Sequence, residues 1–227
     1  MNSPTGRSHI RIYRYLSAKR ALETLESGEL RVGRLSELND PFEFMPALAS
    51  INPDAPHGLV DHHLSFLVRD FDPKWGIICF SEEIHDPVLW SHYAEKHQGI
   101  ALGFDVFQDD TLIRIKYPDV RPTFDVIGFG SMTVDDAKSM IWDILSSKAP
   151  SWKYEKEHRV FVDLASSRTA NGQYFHKIPP DCLKQVVLGI RCTTTDGEVQ
   201  QALDRGKRTD VSVARARRCI TNFRVLC

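Results

Sequence analysis

Two glutamates, Glu155 and Glu157, stand two positions apart in KAPSWKYEKEHRVFVDL (148–164). The hydrophobic period there drops to two: Trp152, Tyr154, Lys156 and His158 alternate with Lys153, Glu155, Glu157 and Arg159. Residues two apart in an extended chain share a face, so the spacing predicts a strand carrying both carboxylates on one side, next to Arg159. Buried without partners, that charge would cost several kcal/mol, so the strand faces water or lines a polar cleft. In a cleft the pair could exchange protons or bind a hard divalent cation. On a solvated strand it would form only cross-strand ion pairs of little weight.

A second chemically loaded stretch is GIICFSEEIHDPVLWSHYAEKHQGIALGF (76–104). An apolar strand (77–80) ends at Ser81, Glu82 and Glu83, where it can show reactive groups at the rim of a core. A short helix follows, with Asp86 as N-cap, Pro87 in its first turn and Gly99 at its close. Leu89, Tyr93 and Ala94 fall at helical spacing, Trp90 and Tyr93 supply aromatic surface, and His85, His92 and His97 flank them. A second strand runs over 100–104.

The opening strand HIRIYRYL (9–16) sets Ile10, Ile12 and Arg14 on one face and Arg11, Tyr13 and Tyr15 on the other. An arginine among isoleucines either snorkels from an edge strand or serves a site. In SELNDPFEF (36–44), Asn39, Asp40 and Pro41 signal a turn, and Asp40 and Glu43 bring two more carboxylates together after a strand. Asp40, Glu43, Glu155 and Glu157 would be the ligands of a metal-dependent nuclease. His62 and His63 lack metal-site spacing, and no metal is expected from them.

Around these residues the pattern predicts a helix capped by Ser17 and ended by Gly28, a strand at 30–33 and a helix near 59–68. A strand at 112–117 precedes a helix opened by Thr133, with a buried stripe of Ala137, Met140, Ile141, Ile144 and Leu145. Strands at 173–178 and 185–189 flank Pro179 and Pro180, and a helix over 196–203 ends at Gly206. Strands and helices mix without a regular βα alternation, so the expected class is α+β: one domain over 9–227 behind a disordered tail, 1–8.

The 227 residues are 42% hydrophobic and 26% charged, with a formal net charge of -1, so no global field draws the chain to nucleic acid or membrane. Locally, Arg205, Lys207, Arg208, Arg215, Arg217 and Arg218 face a single acid, Asp210; this run could touch phosphates, although charge runs are commonly solvated faces. The five cysteines are odd in number and scattered, as expected for reduced thiols in a cytoplasmic protein. No apolar run is long enough to span a bilayer.

YRYL, LRVGRLSELNDPFE, ICFSE, LWSHYAEKHQGIALGFD, SWKYEKEHRV and VVLG, in that order, resemble a bacterial and phage-associated family, domain of unknown function 2971, over nearly the whole chain. That family name carries no chemistry. Tyr13-Arg14, Phe80-Ser81 and Glu155-Lys156-Glu157 are similar, in order, to the split signature of the Arg-Ser-Glu type of ADP-ribosyltransferases, with Ser-Glu-Glu in place of Ser-Thr-Ser. This second resemblance implies two small, mostly antiparallel sheets around a cleft with flanking helices, and NAD as co-substrate. Breaking the nicotinamide–ribose bond passes through a sugar cation, which a carboxylate beside the ribose stabilises.

The resemblance implies that Glu157 holds the ribose and Glu155 orients or deprotonates an acceptor. Arg14 would grip a phosphate or ribose, and Ser81 would fix the carboxylate strand. Tyr13, Arg14, Tyr15, Asn39, Asp40, Trp90 and Tyr93 would contact NAD, with Trp90 or Tyr93 stacking on the nicotinamide. A toxin or phage-defence effector of this kind would act on a protein or nucleic-acid acceptor and answer to a neutralising antitoxin or regulatory partner. A non-catalytic module that binds a nucleotide or partner is the reading from a different class.

Overall fold

Three helices start by the same device. Ser17, Thr133 and Thr195 each accept the backbone amide three residues on, opening α1 (Ala18–Ser27), a central helix (Val134–Leu145) and a late helix (Asp196–Arg205). Asp86 caps the short helix Pro87–Tyr93 by accepting the Val88 amide at 2.7 Å. With Phe66–Phe71 as α2, these three become α3 (Pro87–Tyr93), α4 (Val134–Leu145) and α5 (Asp196–Arg205). The computed structural model describes residues 9–48, 66–109, 111–125 and 128–227. The expected tail at 1–8, the first part of the expected helix near 59–68, and His62 and His63 lie outside the described residues.

The strands are β1 (His9–Leu16), β2 (Glu29–Arg34), β3 (Ala47–Leu48), β4 (Trp75–Ser81), β5 (Ile100–Phe107), β6 (Ile113–Arg114) and β7 (Thr123–Phe124). They continue as β8 (Glu157–Asp163), β9 (Arg168–Ala170), β10 (Gln173–Lys177), β11 (Leu183–Leu188), β12 (Ser212–Arg215), β13 (Arg217–Arg218) and β14 (Val225–Leu226). Helices and strands mix as an α+β chain. The expectation of two small sheets is corrected: ten strands join in one sheet, ordered β12-β11-β5-β1-β4-β2-β10-β9 with β8 and β6 branching from β4. All its pairings are antiparallel except β11 with β12.

The join is β4. One edge pairs along its full length with β8, Trp75 opposite Asp163 through Ser81 opposite Glu157. The other edge is shared: Gly76 and Ile77 pair with Arg34 and Gly33 of β2, and Ser81 pairs with Tyr13 of β1. Among the described residues Ile78, Cys79 and Phe80 have no strand partner on that edge, so the sheet forks there.

Alternation along β5 and β11 buries both faces of the sheet. Ile100, Leu102, Val186 and Leu188 pack with Leu25 of α1 and Val199 and Leu203 of α5, while Ala101 and Val187 meet Leu89, Trp90 and Ala94 on the opposite side. α3 stops at Tyr93, short of Gly99, because Glu95, Lys96 and His97 all take positive φ. Gly99 is required for a different reason: a Cβ there would lie 2.1 Å from the Leu16 carbonyl oxygen. Among the described residues no helix is long and apolar enough to cross a membrane.

The strand expected through Glu155 and Glu157 is also corrected. Pro150 sits in the first turn of a 3-10 helix over Pro150–Glu155, Lys156 follows in the left-handed region at φ 43°, and β8 begins only at Glu157. The two glutamates therefore belong to different elements. The strand expected at 112–117 is likewise reduced to Ile113–Arg114.

Candidate active site

The fork opens into a cavity of about 270 Å³. Arg14 of β1 enters the gap and donates from Nη1 to the Cys79 carbonyl at 2.6 Å, satisfying a β4 acceptor that no strand reaches. Ser81 closes β4 at the point where β1, β4 and β8 meet, its backbone opposite both Tyr13 and Glu157. Its hydroxyl donates to the Glu155 carbonyl and accepts the Glu83 amide, tying the glutamate turn to the end of β4. Arg14, Ser81, Glu155 and Glu157 all line this one cavity, with Tyr13, Tyr15, Asn39 and Tyr93.

Behind the carboxylates lies a group that the period-two pattern did not reveal. Lys148, its side chain 3% exposed, places Nζ 2.6 Å from Glu155, 3.0 Å from Glu43 and 3.1 Å from Glu157. Arg159, fully buried, bonds Glu157 from Nε at 2.7 Å and Glu43 from Nη2. Three carboxylates thus share two cations in a water-poor setting, where each needs its partners.

Burial acts to raise the Glu157 carboxyl, but Arg159 and Lys148 outweigh it and hold the group down at about 2. For Glu43 burial prevails over Arg159 and Lys148 and pushes the carboxyl up. Burial would lower the Lys148 ammonium; Glu157, Glu43 and Glu155 overcome that and hold it above its usual value.

Tyr93 donates to Glu155 Oε1 at 2.5 Å and accepts from Asn39 Nδ2 at 3.2 Å. Burial first, and then this bond to Glu155, push the Tyr93 hydroxyl far above its ordinary range. Both Glu155 oxygens are engaged, one by Tyr93 and one by Lys148. Tyr13 bonds Gln185 at 3.3 Å, and Tyr15 donates to the Glu83 carbonyl at 2.6 Å.

Two expected contact residues are corrected. Trp90 is 0% exposed, donates from Nε1 to the Ile84 carbonyl at 2.7 Å and meets Tyr15 edge-on, so no ligand can stack on it. Asp40 is buried outside the cavity lining, and its Oδ1 caps its own turn by accepting the Phe42 amide at 2.9 Å.

Arg31 and Arg34 of β2 line the cavity and were not anticipated. Each has an acidic partner, Glu37 and Asp72, yet their Nε atoms and that of Arg14 are buried without a hydrogen bond. The signal for Lys148 was chemical rather than periodic: buried acids demand cations, and it lies close by in sequence.

As a set of metal ligands the acids fit poorly, because the Lys148 ammonium occupies the space between Glu43, Glu155 and Glu157, and Asp40 points elsewhere. Among the described residues no group of three or more His, Cys, Asp and Glu side chains is arranged to hold a metal ion. No family model matches the chain, and no curated protein or solved structure matches it.

Proposed function

We propose that the chain is an ADP-ribosyltransferase-like enzyme that cleaves the nicotinamide–ribose bond of NAD and passes ADP-ribose to an acceptor. One observation carries this reading: Arg14, Ser81 and Glu157, from three distant segments, surround a single cavity at the fork of the sheet. Cleavage leaves positive charge on the ribose, and an ionised carboxylate held in place beforehand stabilises it without reorganisation. Glu157 meets that need, since Arg159 and Lys148 keep it charged although it is buried.

The remaining roles follow from what each side chain touches. Glu155, engaged by Tyr93 and Lys148, is a positioning residue in this reading, not the base for an acceptor. Tyr93 and Tyr13 offer ring surface to the nicotinamide. The guanidinium groups of Arg14, Arg31 and Arg34, which line the cavity, fit the phosphates of a dinucleotide, since guanidinium donors match phosphate oxygens. About 270 Å³ is just under the roughly 300–1,000 Å³ of usual ligand sites, which suits the nicotinamide and its ribose while the adenosine end lies outside.

Incubation of the protein with NAD labelled in the nicotinamide ring tests the proposal. Release of free nicotinamide is expected, reduced by about 10²-fold or more in Glu157→Gln and similarly in Arg14→Lys, which keeps the charge but loses the planar fork. Absence of release, or a Glu157→Gln rate equal to the parent's in a folded protein, would overturn it.

A further inference from the structure

Beyond the cleft, β13 and β14 pair as a short hairpin, Arg217 opposite Leu226 and Arg218 opposite Val225. Its base is anchored: Val225 is buried against Ile84, Leu89 and Trp90, its amide donates to the His85 carbonyl at 2.9 Å, and its carbonyl lies 2.8 Å from His85 Nδ1. Its tip is the opposite in character. Ile220 and Phe223 are each 98% exposed, the two most exposed of the large apolar side chains among the described residues.

Arginines surround them. Arg217, Arg218 and Arg224 on the hairpin and Arg191 beside it are exposed, and none forms an ion pair among the described residues. In the same basic tail Arg205 is paired with Glu26 and Arg215 with Asp196. Four arginines without an ion pair therefore gather at this hairpin, on a chain whose net charge is only -1; among the described residues Arg14, Arg121 and Arg208 also lack one, each in another part of the fold. Under the tip, against Pro87, His97 and Ile190, lies a concavity of about 450 Å³, which Arg191, Arg218, Arg224 and Phe223 line and, among the described residues, no acid does.

We propose that this hairpin and the concavity beneath it bind single-stranded nucleic acid. Phosphates meet the unpaired arginines, and a base stacks on Phe223, the combination by which single strands are held without sequence readout. A paired duplex hides its base faces, whereas a single strand can turn one out. An anionic membrane would also attract the arginines, but Arg191, Arg218 and Arg224 line a concave space that a single strand can enter and a flat headgroup surface cannot.

Fluorescence anisotropy with a labelled twelve-nucleotide RNA, and with the DNA of the same sequence, at 50 and 200 mM salt decides the matter. Binding should weaken as salt rises, with the log–log slope falling by about 0.7 for each phosphate contact removed, hence in Arg218→Gln and again in Arg224→Gln. Phe223→Ala should weaken binding at least fivefold and leave the slope unchanged, because stacking carries no counterion. Its near-complete exposure keeps this substitution from disturbing the fold. No anisotropy change with either oligonucleotide at 50 mM salt, unaltered binding by Phe223→Ala, or capture by phosphatidylserine vesicles in place of oligonucleotide would each overturn the proposal.

Discussion

The ammonium of Lys148 lies 3.1 Å from Oε2 of Glu157, while Arg159 holds Oε1 of the same carboxylate at 2.7 Å. Both oxygens of a buried acid in the cleft are thus met by cations. Removing one partner from such a buried set leaves charge without compensation. Lys148→Met should therefore lower stability by about 3–5 kcal/mol, read from urea unfolding. A loss under about 1 kcal/mol would mean the cluster is hydrated and its members weakly coupled.

Acid should loosen the protein through Glu157. Its carboxyl is held at about 2 against an ordinary 4.5. A folded value below the unfolded one stabilises the fold at pH above the ordinary value, and the contribution disappears as pH falls from about 4.5 toward 2. The gap corresponds to on the order of 3 kcal/mol. Glu43, pushed up by burial, works in the reverse sense: its contribution is present in acid and is lost as pH rises through its folded value, offsetting part of the first. Unfolding midpoints measured between pH 2 and 6 should fall on the acid side, and Glu157→Gln should flatten that limb; an equally steep limb in the variant would assign the effect elsewhere.

Trp90 and Tyr93, three residues apart on α3, should separate fold from function. Trp90→Ala empties a wholly buried site and should cost about 3–5 kcal/mol. Tyr93→Phe loses its bond to the Glu155 carboxylate, about 1.5–3 kcal/mol at most, yet it should slow nicotinamide release in the folded protein by more than that loss explains. Thermal melting beside the release assay checks both, and a Tyr93→Phe enzyme with the parent's rate would remove Tyr93 from the site.

Gly28 was legible as a helix stop from sequence, as were Ser17, Asp86 and Thr133 as helix starts, because capping is local chemistry. β1 and β4 were legible too, since alternation and an apolar run are signals carried within a few residues. The glutamate segment misled for a physical reason. Its polar and aromatic residues alternate as they would in a strand, but Pro150 begins a 3-10 turn and Lys156 adopts a left-handed backbone, which no period announces. Trp90 was misplaced because an indole at helical spacing serves core and ligand alike, and only its bond to the Ile84 carbonyl separates the two. Arg31 and Arg34 were missed because their positions depend on pairing between remote segments, and Lys148 because no period marks the cation that nearby buried acids demand.

The three residues of β4 that neither β1 nor β2 pairs with act as a ruler. Ile77 is the last residue stitched to β2 and Ser81 the first stitched to β1, four steps of about 3.3 Å apart, so the mouth between the two contacts spans roughly 13 Å of backbone. The opposite edge of β4 is locked residue for residue to β8. A single insertion in β4 would turn Ser81 toward the other side of the sheet and carry it out of line with Glu157. The aperture cannot widen one residue at a time, and a homologue built for a bulkier guest would need matched changes in both strands.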